Sequence, residues 1–297
     1  MPYTTLISTE ALAAHAGPDW VIVDCRYDLG NEQWGRDEYL SGHVPGAVYA
    51  SLNADLSGPR TGTNGRHPLP SIEALAALFG RFGIRNTSQV VVYDQNVGMY
   101  ASRLWWSLRY LGHDGVALLD GGWAKWIAEG RPTKAGEESR PPVTFKPSPR
   151  PYMAIGLNAV QARITAGRTL LVDARASDRF EGRTEPIDRV PGHIPGARNH
   201  YYMGNTGADG TFLPPGELRA KFDGVLRGQA PADTVMYCGS GVTACHNLLA
   251  MEVAGLPGTT LYPGSWSEWS ADANRPIETG PEGGPRTKDQ GPGPVRD

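Results

Sequence analysis

Short apolar runs alternate with longer amphipathic segments along most of the chain. Three runs in the first half are too short and too apolar to be anything but central strands: VIV at 21–23, QVVVY at 89–93 and VALL at 116–119. The segments around them predict helices that begin near Ser8 or Thr9, at Ser71, across 100–112 and at Trp123. Strands separated by helices indicate a parallel sheet with helices on both faces.

The second half repeats this order of elements. The predicted strands are TLLV at 169–172, TVMY at 234–237 and TTLY at 259–262, and the predicted helices follow Asn158 as N-cap, cover 215–226 and 243–255, and lie near Trp266. Three motifs also recur in the same order: VIVDCRYDLG with LLVDARASDR, GHVPGA with GHIPGA, and LLDGGWAKW with LYPGSWSEW. The sequence therefore predicts an α/β fold in tandem, with two domains at 1–130 and 154–280, each a mainly parallel sheet flanked by helices.

The segments outside the two domains have a different composition. Six prolines between residues 131 and 151 cannot continue a helix, so 131–153 is predicted to be an extended linker. The last stretch, 281–297, is polar and rich in glycine and proline, which predicts a disordered tail.

Bulk composition excludes several classes of function. The net charge of −3 gives no reason to expect nucleic acid or an anionic membrane as a partner. No run approaches the roughly 20 apolar residues of a membrane span. Three cysteines are too few for a disulfide framework, so a reduced, cytoplasmic protein is expected. No CxxC or HxxxH spacing occurs, and nothing in the chain requires a metal or an organic cofactor.

The segment VMYCGSGVTACHN, 235–247, places Cys238 between a predicted strand and a predicted helix. In an open parallel sheet, ligands collect at the carboxyl ends of the strands. The glycines after Cys238 permit a tight loop whose N–H groups face inward, and a helix N-terminus favours the thiolate form of the cysteine. The first copy has Asp94 at the matching position, so only the second copy carries this chemistry.

The alternative for each cysteine is a buried packing role. Free cysteines are often buried and inert, but the glycine loop favours Cys238 as a nucleophile. Cys25 has Ala174 as its counterpart and is interpreted as a core residue. Cys245 lies about two turns along the helix, where packing is the first interpretation and a redox partner of Cys238 the second.

The doubled D-x-R … GH[VI]PGA pattern and the CGSGVTA loop resemble the two-domain rhodanese-like sulfurtransferases over about residues 5–280. The resemblance implies a tandem of rhodanese domains, of which the first is silent and the second carries the cysteine. A loop of the form C-R-K-G-V-T marks thiosulfate sulfurtransferases, whereas C-G-[ST]-G-V-T looks like the 3-mercaptopyruvate enzymes. The resemblance therefore implies sulfur transfer from 3-mercaptopyruvate to a thiophilic acceptor, with pyruvate as product.

The same resemblance implies that Arg179 binds the substrate, and its guanidinium can grip the donor carboxylate through two N–H groups. A hypothetical reaction cycle gives roles to other residues: Cys238 would carry the sulfur as a persulfide, and Ser240 would relay a proton. The backbone amides of the loop would stabilise the persulfide and bind substrate at Gly239, Gly241, Val242 and Thr243.

One departure from the family pattern concerns a second arginine. The mercaptopyruvate branch often has EPR where this chain has Ile187 after Pro186, and Arg183 or Arg189 are the candidate substitutes. His43 matches a histidine implicated in proton relay in some relatives, although His193 at the equivalent position favours a shared structural role. Walls of the pocket are predicted, with core packing as the alternative, at Met99, Tyr100 and Trp34.

The expected partners are a small-molecule sulfur donor and an acceptor that is a thiol, cyanide or a thioredoxin-like protein. A thiosulfate sulfurtransferase of the same fold is the first rival hypothesis. A cysteine phosphatase or arsenate reductase would need an arginine closing a C-x5-R loop, and Ala244 stands there instead. A sulfur-carrier or regulatory binding protein without turnover of its own is the third alternative.

Overall fold

The computed structural model describes residues 2–17 and 19–282, which form two parallel sheets. The first sheet has the strand order β1-β5-β4-β2-β3, and every neighbouring pair is parallel. Its strands are β1 (Leu6–Ile7), β2 (Trp20–Asp24), β3 (Ala47–Tyr49), β4 (Gln89–Tyr93) and β5 (Val116–Leu119). Its helices are α1 (Thr9–His15), α2 (Trp34–Ser41), α3 (Ile72–Arg81), α4 (Ala101–Tyr110) and α5 (Gly122–Ala128).

The second sheet has the order β7-β6-β8-β9 and is also parallel throughout. A parallel bridge between Ala154 and Leu261 stands where β1 pairs with β5 in the first sheet. The strands are β6 (Leu170–Asp173), β7 (Arg198–Asn199), β8 (Thr234–Tyr237) and β9 (Thr260–Leu261). The helices are α6 (Leu157–Thr165), α7 (Ser177–Phe180), α8 (Pro215–Leu226), α9 (Thr243–Val253) and α10 (Ser265–Trp269).

The predicted tandem α/β architecture is confirmed, with corrections to individual elements. Ser8 and Ser71 cap α1 and α3, because each hydroxyl accepts a hydrogen bond from the N–H three residues ahead. The N-cap predicted at Asn158 is wrong: α6 begins after Gly156, and Asn158 is its second residue. The sequence pattern also missed five elements that are short or lack an apolar stripe, namely β1, β3, β7, α2 and α7.

The doubled motif of the sequence has a structural role in both domains. Arg26 donates to both carboxylate oxygens of Asp24 and to the carbonyl of Gly42, and its guanidinium lies 4.6 Å from the ring centroid of Trp123. The second domain repeats these contacts with Asp173, Arg175, Gly192 and Trp266. Each buried pair ties the end of a central strand to the loop of the GH[VI]PGA motif.

The segment predicted as a linker, 131–153, follows the surface of the first domain. The Val143 amide donates to the carbonyl of Gly80, and Phe145 is buried edge-to-face against Phe79. Of the tail predicted at 281–297, residues 283–297 lie outside the described residues. No helix in the described part of the chain combines the length and the apolar character that crossing a bilayer requires.

The two domains pack through α4 and α9, and each of these helices contacts the loop that precedes the other. Arg103 of α4 is fully buried and donates to the carbonyl of Gly241 at 2.9 Å. From the second domain, His246 of α9 reaches into the first: its Nε2 lies 2.9 Å from the carbonyl oxygen of Val97. The loop after β8 is therefore built against the first domain, and any site there is shared between the domains.

Candidate active site

Cys238 follows β8 directly and precedes the first turn of α9. Its Sγ accepts the backbone N–H of Gly241 at 3.1 Å, and its own N–H donates to Ser265 Oγ at 3.1 Å. The residue is only 2% exposed, but it lines a cavity of about 220 Å³ between the two domains. The sulfur thus lies beside a small cavity between the domains and is not sealed in the core.

The loop after Cys238 presents several unused backbone donors. Within the described residues, the N–H groups of Ser240, Val242 and Thr243 make no hydrogen bond. Gly241 has φ +75°, and a Cβ at this position would lie 2.4 Å from the carbonyl oxygen of Pro263. Only glycine fits there, so the loop keeps its amides available for an anion at the sulfur.

The equivalent loop of the first domain already contains an anion. Asp94 stands at the position of Cys238, and its carboxylate accepts N–H groups at 2.7 to 3.2 Å from Asn96, Gly98, Tyr100 and Ala101. Burial raises the pKa of Asp94 above its ordinary value, although the four amides act in the opposite direction. The first copy therefore shows that the amides of this type of loop converge on a carboxyl group.

Ser240 contacts a histidine that sequence reasoning missed. His67, from the first domain, lies with Nδ1 2.8 Å from Ser240 Oγ, and both side chains line the cavity. Burial, reinforced by Arg103 and Arg66, lowers the pKa of His67 to about 3. The imidazole is therefore neutral near pH 7 and can exchange a proton with the hydroxyl.

Two arginines flank the loop on the side of Gly239. Arg179 of α7 lines the cavity and pairs with Glu185 at 2.7 Å and with Asp188 at 2.9 Å. Arg66 reaches Asp188 from the first domain. A Cβ on Gly239 would lie 2.9 Å from Arg66 Nη2 and 3.5 Å from Arg179 Nη2, so both guanidiniums approach the loop backbone.

A weak sequence signal could have identified Arg66 and His67. The segment GTNG at 62–65 has a counterpart, GADG at 207–210, and the next two residues are Arg-His in the first copy but Thr-Phe in the second. Each segment reaches the other domain. Phe212 stacks on His246 beside the silent loop, with ring centroids 4.7 Å apart, whereas Arg66 and His67 enter the cavity of Cys238.

His43 lies in the packing of the first domain and does not line the cavity. Its side chain is fully buried, with Nδ1 2.7 Å from the carbonyl of Tyr39. His193 repeats the arrangement, with Nδ1 2.7 Å from the carbonyl of Phe180. The geometry favours the shared structural role, and it does not bring His43 together with the other candidate residues.

The remaining candidates divide between the cavity and the surface. Met99 and Tyr100 line the cavity, whereas the half-buried Trp34 does not. Arg183 is exposed and pairs with acidic neighbours on its own segment, and Arg189 is exposed as well. Neither arginine lines the cavity, so neither stands where the second substrate-binding arginine was expected.

The other two cysteines are buried. Burial raises the pKa of Cys25 well above its ordinary value and that of Cys245 to about 12. Cys245 Sγ lies 3.3 Å from the carbonyl of Gly241, underneath the loop. Among the described residues, no group of three or more His, Cys, Asp or Glu side chains is arranged to hold a metal ion.

Comparison with known proteins agrees with this arrangement. The family model described as "Rhodanese-like domain" matches residues 8–129 and 157–272. A "probable 3-mercaptopyruvate sulfurtransferase" of Pseudomonas aeruginosa is 47% identical over 94% of this chain and 100% of its own length. The thiosulfate sulfurtransferase of Bos taurus is 35% identical, over 90% of this chain and 92% of its own.

A solved structure extends the likeness to the whole fold. The 3-mercaptopyruvate sulfurtransferase from Leishmania major superposes with a TM-score of 0.80 at 31% identity, covering 90% of this chain and 74% of that one. The segments matched by the family model contain every strand of the two sheets except β1, together with the helices α1 to α10. The chain therefore belongs to the rhodanese-like family, of which it carries two domains in tandem.

Proposed function

We propose that this protein is a sulfurtransferase that moves sulfur from 3-mercaptopyruvate to a thiophilic acceptor through a persulfide on Cys238, releasing pyruvate. The observation that carries the proposal is the position of Cys238 Sγ. This sulfur accepts a hydrogen bond from the N–H of Gly241 and lies beside a small cavity. The cavity is also lined by Arg179, and other N–H groups of the loop have no hydrogen-bond acceptor within the described residues. An anionic donor and an anionic persulfide are both stabilised in such surroundings.

In the first step, the Cys238 thiolate attacks the sulfur of the donor. The new S–S bond forms as the donor's C–S bond breaks, and the electron pair of that bond goes to the carbon, which becomes pyruvate enolate. The proton of the donor thiol ends on this carbon, so that pyruvate leaves and Cys–S–S⁻ remains. Arg179 holds the donor carboxylate during the attack.

Ser240 and His67 supply a route for the proton. The hydroxyl and the neutral imidazole are already hydrogen-bonded at 2.8 Å, and both face the cavity. The pair takes the proton from the donor side and returns it to the enolate carbon without either residue being charged at rest. The persulfide left behind is stabilised by the amides of residues 240–243.

In the second step, an acceptor removes the outer sulfur. A thiolate attacks it, the S–S bond to Cys238 breaks, and the Cys238 thiolate is regenerated with the sulfur now on the acceptor. A small thiol, cyanide or a thioredoxin-like protein would serve chemically. The cytoplasmic location stays a prediction from cysteine usage.

The choice of sulfur donor is what distinguishes the proposed activity from its first rival, thiosulfate sulfurtransferase. Gly239 and Ser240 are uncharged, which suits a monocarboxylate held by a cation outside the loop. The bovine thiosulfate sulfurtransferase among the relatives keeps thiosulfate as the alternative donor. Steady-state kinetics with both donors decides this point, because a higher kcat/KM for thiosulfate would reverse the proposal.

The persulfide itself is tested by mass spectrometry. After incubation with 3-mercaptopyruvate, the peptide containing Cys238 should gain one sulfur atom, and Cys238→Ser should abolish this gain. Cys245→Ser is the matched control and should retain the adduct. An adduct that survives in Cys238→Ser contradicts the mechanism, and a stoichiometric burst without turnover would instead indicate a sulfur carrier.

A further inference from the structure

Arg66 belongs to the first domain but is anchored in the active site of the second. Its backbone N–H donates to Ser267 Oγ at 3.0 Å. The preceding Gly65 has φ +86°, and a Cβ there would lie 2.8 Å from the carbonyl of Gly264. The loop is thus pinned against α10 of the second domain, and this fixes where the Arg66 side chain enters the cavity.

The guanidinium of Arg66 has binding capacity left. Its Nη1 pairs with Asp188, but within the described residues its Nε and Nη2 donate to no protein acceptor. The side chain is 25% exposed and lines the cavity, so the guanidinium is not sealed in the core. Burial and the neighbouring charge of Arg179 lower the pKa of Arg66 to about 10, so the group is still a cation at pH 7.

The Asp188 carboxylate bridges the guanidiniums of Arg66 and Arg179. One of its oxygens meets Arg66 and the other meets Arg179 at 2.9 Å. It belongs to an exposed segment in which the preceding Ile187 is 44% exposed. Both arginines also line the cavity, so a carboxylate entering it would meet the same pair of cations.

Gly239 and Arg66 fit each other sterically. The Nη2 of Arg66 lies 2.9 Å from the position that a Cβ on residue 239 would take. A side chain at 239 would therefore have to share the space that the guanidinium fills. The loop lacks a cation of its own, and the first domain supplies one at that place.

We propose that Arg66 is a specificity-determining residue that binds the carboxylate of the donor together with Arg179, so that the domain without a cysteine selects the donor. The inference rests on the proposed function. It assigns the second cationic contact to the first domain and to neither Arg183 nor Arg189. It also gives GTNGRH, 62–67, a recognition role in addition to its packing role.

Two donors that differ only in the carboxylate isolate this contact. 3-Mercaptopyruvate carries it, whereas mercaptoacetone has a methyl group in its place. Arg66→Ala should lower kcat/KM for 3-mercaptopyruvate roughly 10- to 100-fold, chiefly through KM, because charge-assisted hydrogen bonds are lost. For mercaptoacetone the same variant should stay within about twofold of the parent enzyme.

Arg183→Ala is the matched control, since it removes an exposed arginine from outside the cavity, and both donors should be unaffected. An equal loss for both donors in Arg66→Ala would mean that Arg66 only positions the loop, and this overturns the inference. Should Arg66→Ala melt early, Arg66→Gln keeps most of the stem and carries the same prediction. A parent enzyme that takes no sulfur from 3-mercaptopyruvate overturns the proposed function, whereas turnover that is unchanged in the Arg66 variants overturns the inference alone.

Discussion

Gly241→Ala is the sharpest test of the idea that backbone amides hold the reactive sulfur. Gly241 has φ +75°, donates its N–H to Cys238 Sγ at 3.1 Å and lies against Pro263. The new Cβ would be 2.4 Å from the Pro263 carbonyl oxygen, which is backbone and cannot rotate away. The loop must therefore move by about 1 Å to reach ordinary contact, and the amide moves with it.

The expected magnitude has two parts. The left-handed conformation costs a non-glycine residue about 1–2 kcal/mol of stability. Loss of one preorganised donor at a developing negative charge lowers kcat by a factor of about 10²–10³, or roughly 3–4 kcal/mol in the barrier. The variant should therefore be mildly destabilised and severely slowed, and its persulfide should form more slowly than that of the parent.

Gly196→Ala separates the two parts. Gly196 has the same φ of +75°, but nothing lies within 4 Å of the Cβ position. This variant should lose about 1–2 kcal/mol of unfolding free energy and keep its activity. Both variants are measured by thermal melting and by single-turnover pyruvate release. Parent-like turnover in folded Gly241→Ala would refute the amide argument, whatever its melting temperature.

Two further predictions concern the silent loop and the buried histidine. Asp94→Asn replaces one acceptor oxygen by an NH₂ group that faces two backbone donors. The variant should therefore lose roughly 2–4 kcal/mol of unfolding free energy, and its Tm should fall by about 5–10 °C. Persulfide formation on Cys238 should be retained at a temperature where the variant is folded. An unchanged melting curve would contradict the reading of this loop as a closed anion site. Burial lowers the pKa of His67 from 6.5 to about 3, so its contribution to stability is present above pH 6.5 and is lost as the pH falls toward 3. His67→Gln should therefore flatten the pH dependence of the unfolding free energy across that window, and a profile parallel to that of the parent in urea titrations would exclude His67 as its source.

The tandem fold could be predicted because each copy supports the interpretation of the other. The elements that escaped prediction have physical reasons for doing so: β1 and β7 are two residues long, and α2 carries no apolar stripe. The position of Cys238 between a strand and a helix could be predicted, because a glycine loop between two such elements is a local pattern. Arg66 and His67 were not predicted, because only the comparison of GTNGRH with GADGTF indicates them, and neither segment shows which domain its side chains reach.

Comparison of the two interdomain loops gives a physical reason for proposing a catalytic centre at only one of them. In the first domain, the loop amides are saturated by Asp94, and Phe212 from the second domain is buried beside the loop. In the second domain, a sulfur takes the place of the carboxylate and leaves amides unused, and Arg66 with His67 takes the place of Thr211 and Phe212. The exchange of the Asp94 carboxyl group for the Cys238 sulfur leaves loop amides available for a substrate anion. Without Arg66 and His67 as well, the substrate anion would face the phenyl ring of Phe212. A cysteine placed in the first domain's loop by Asp94→Cys, in a Cys238→Ser background, should therefore release no pyruvate from 3-mercaptopyruvate.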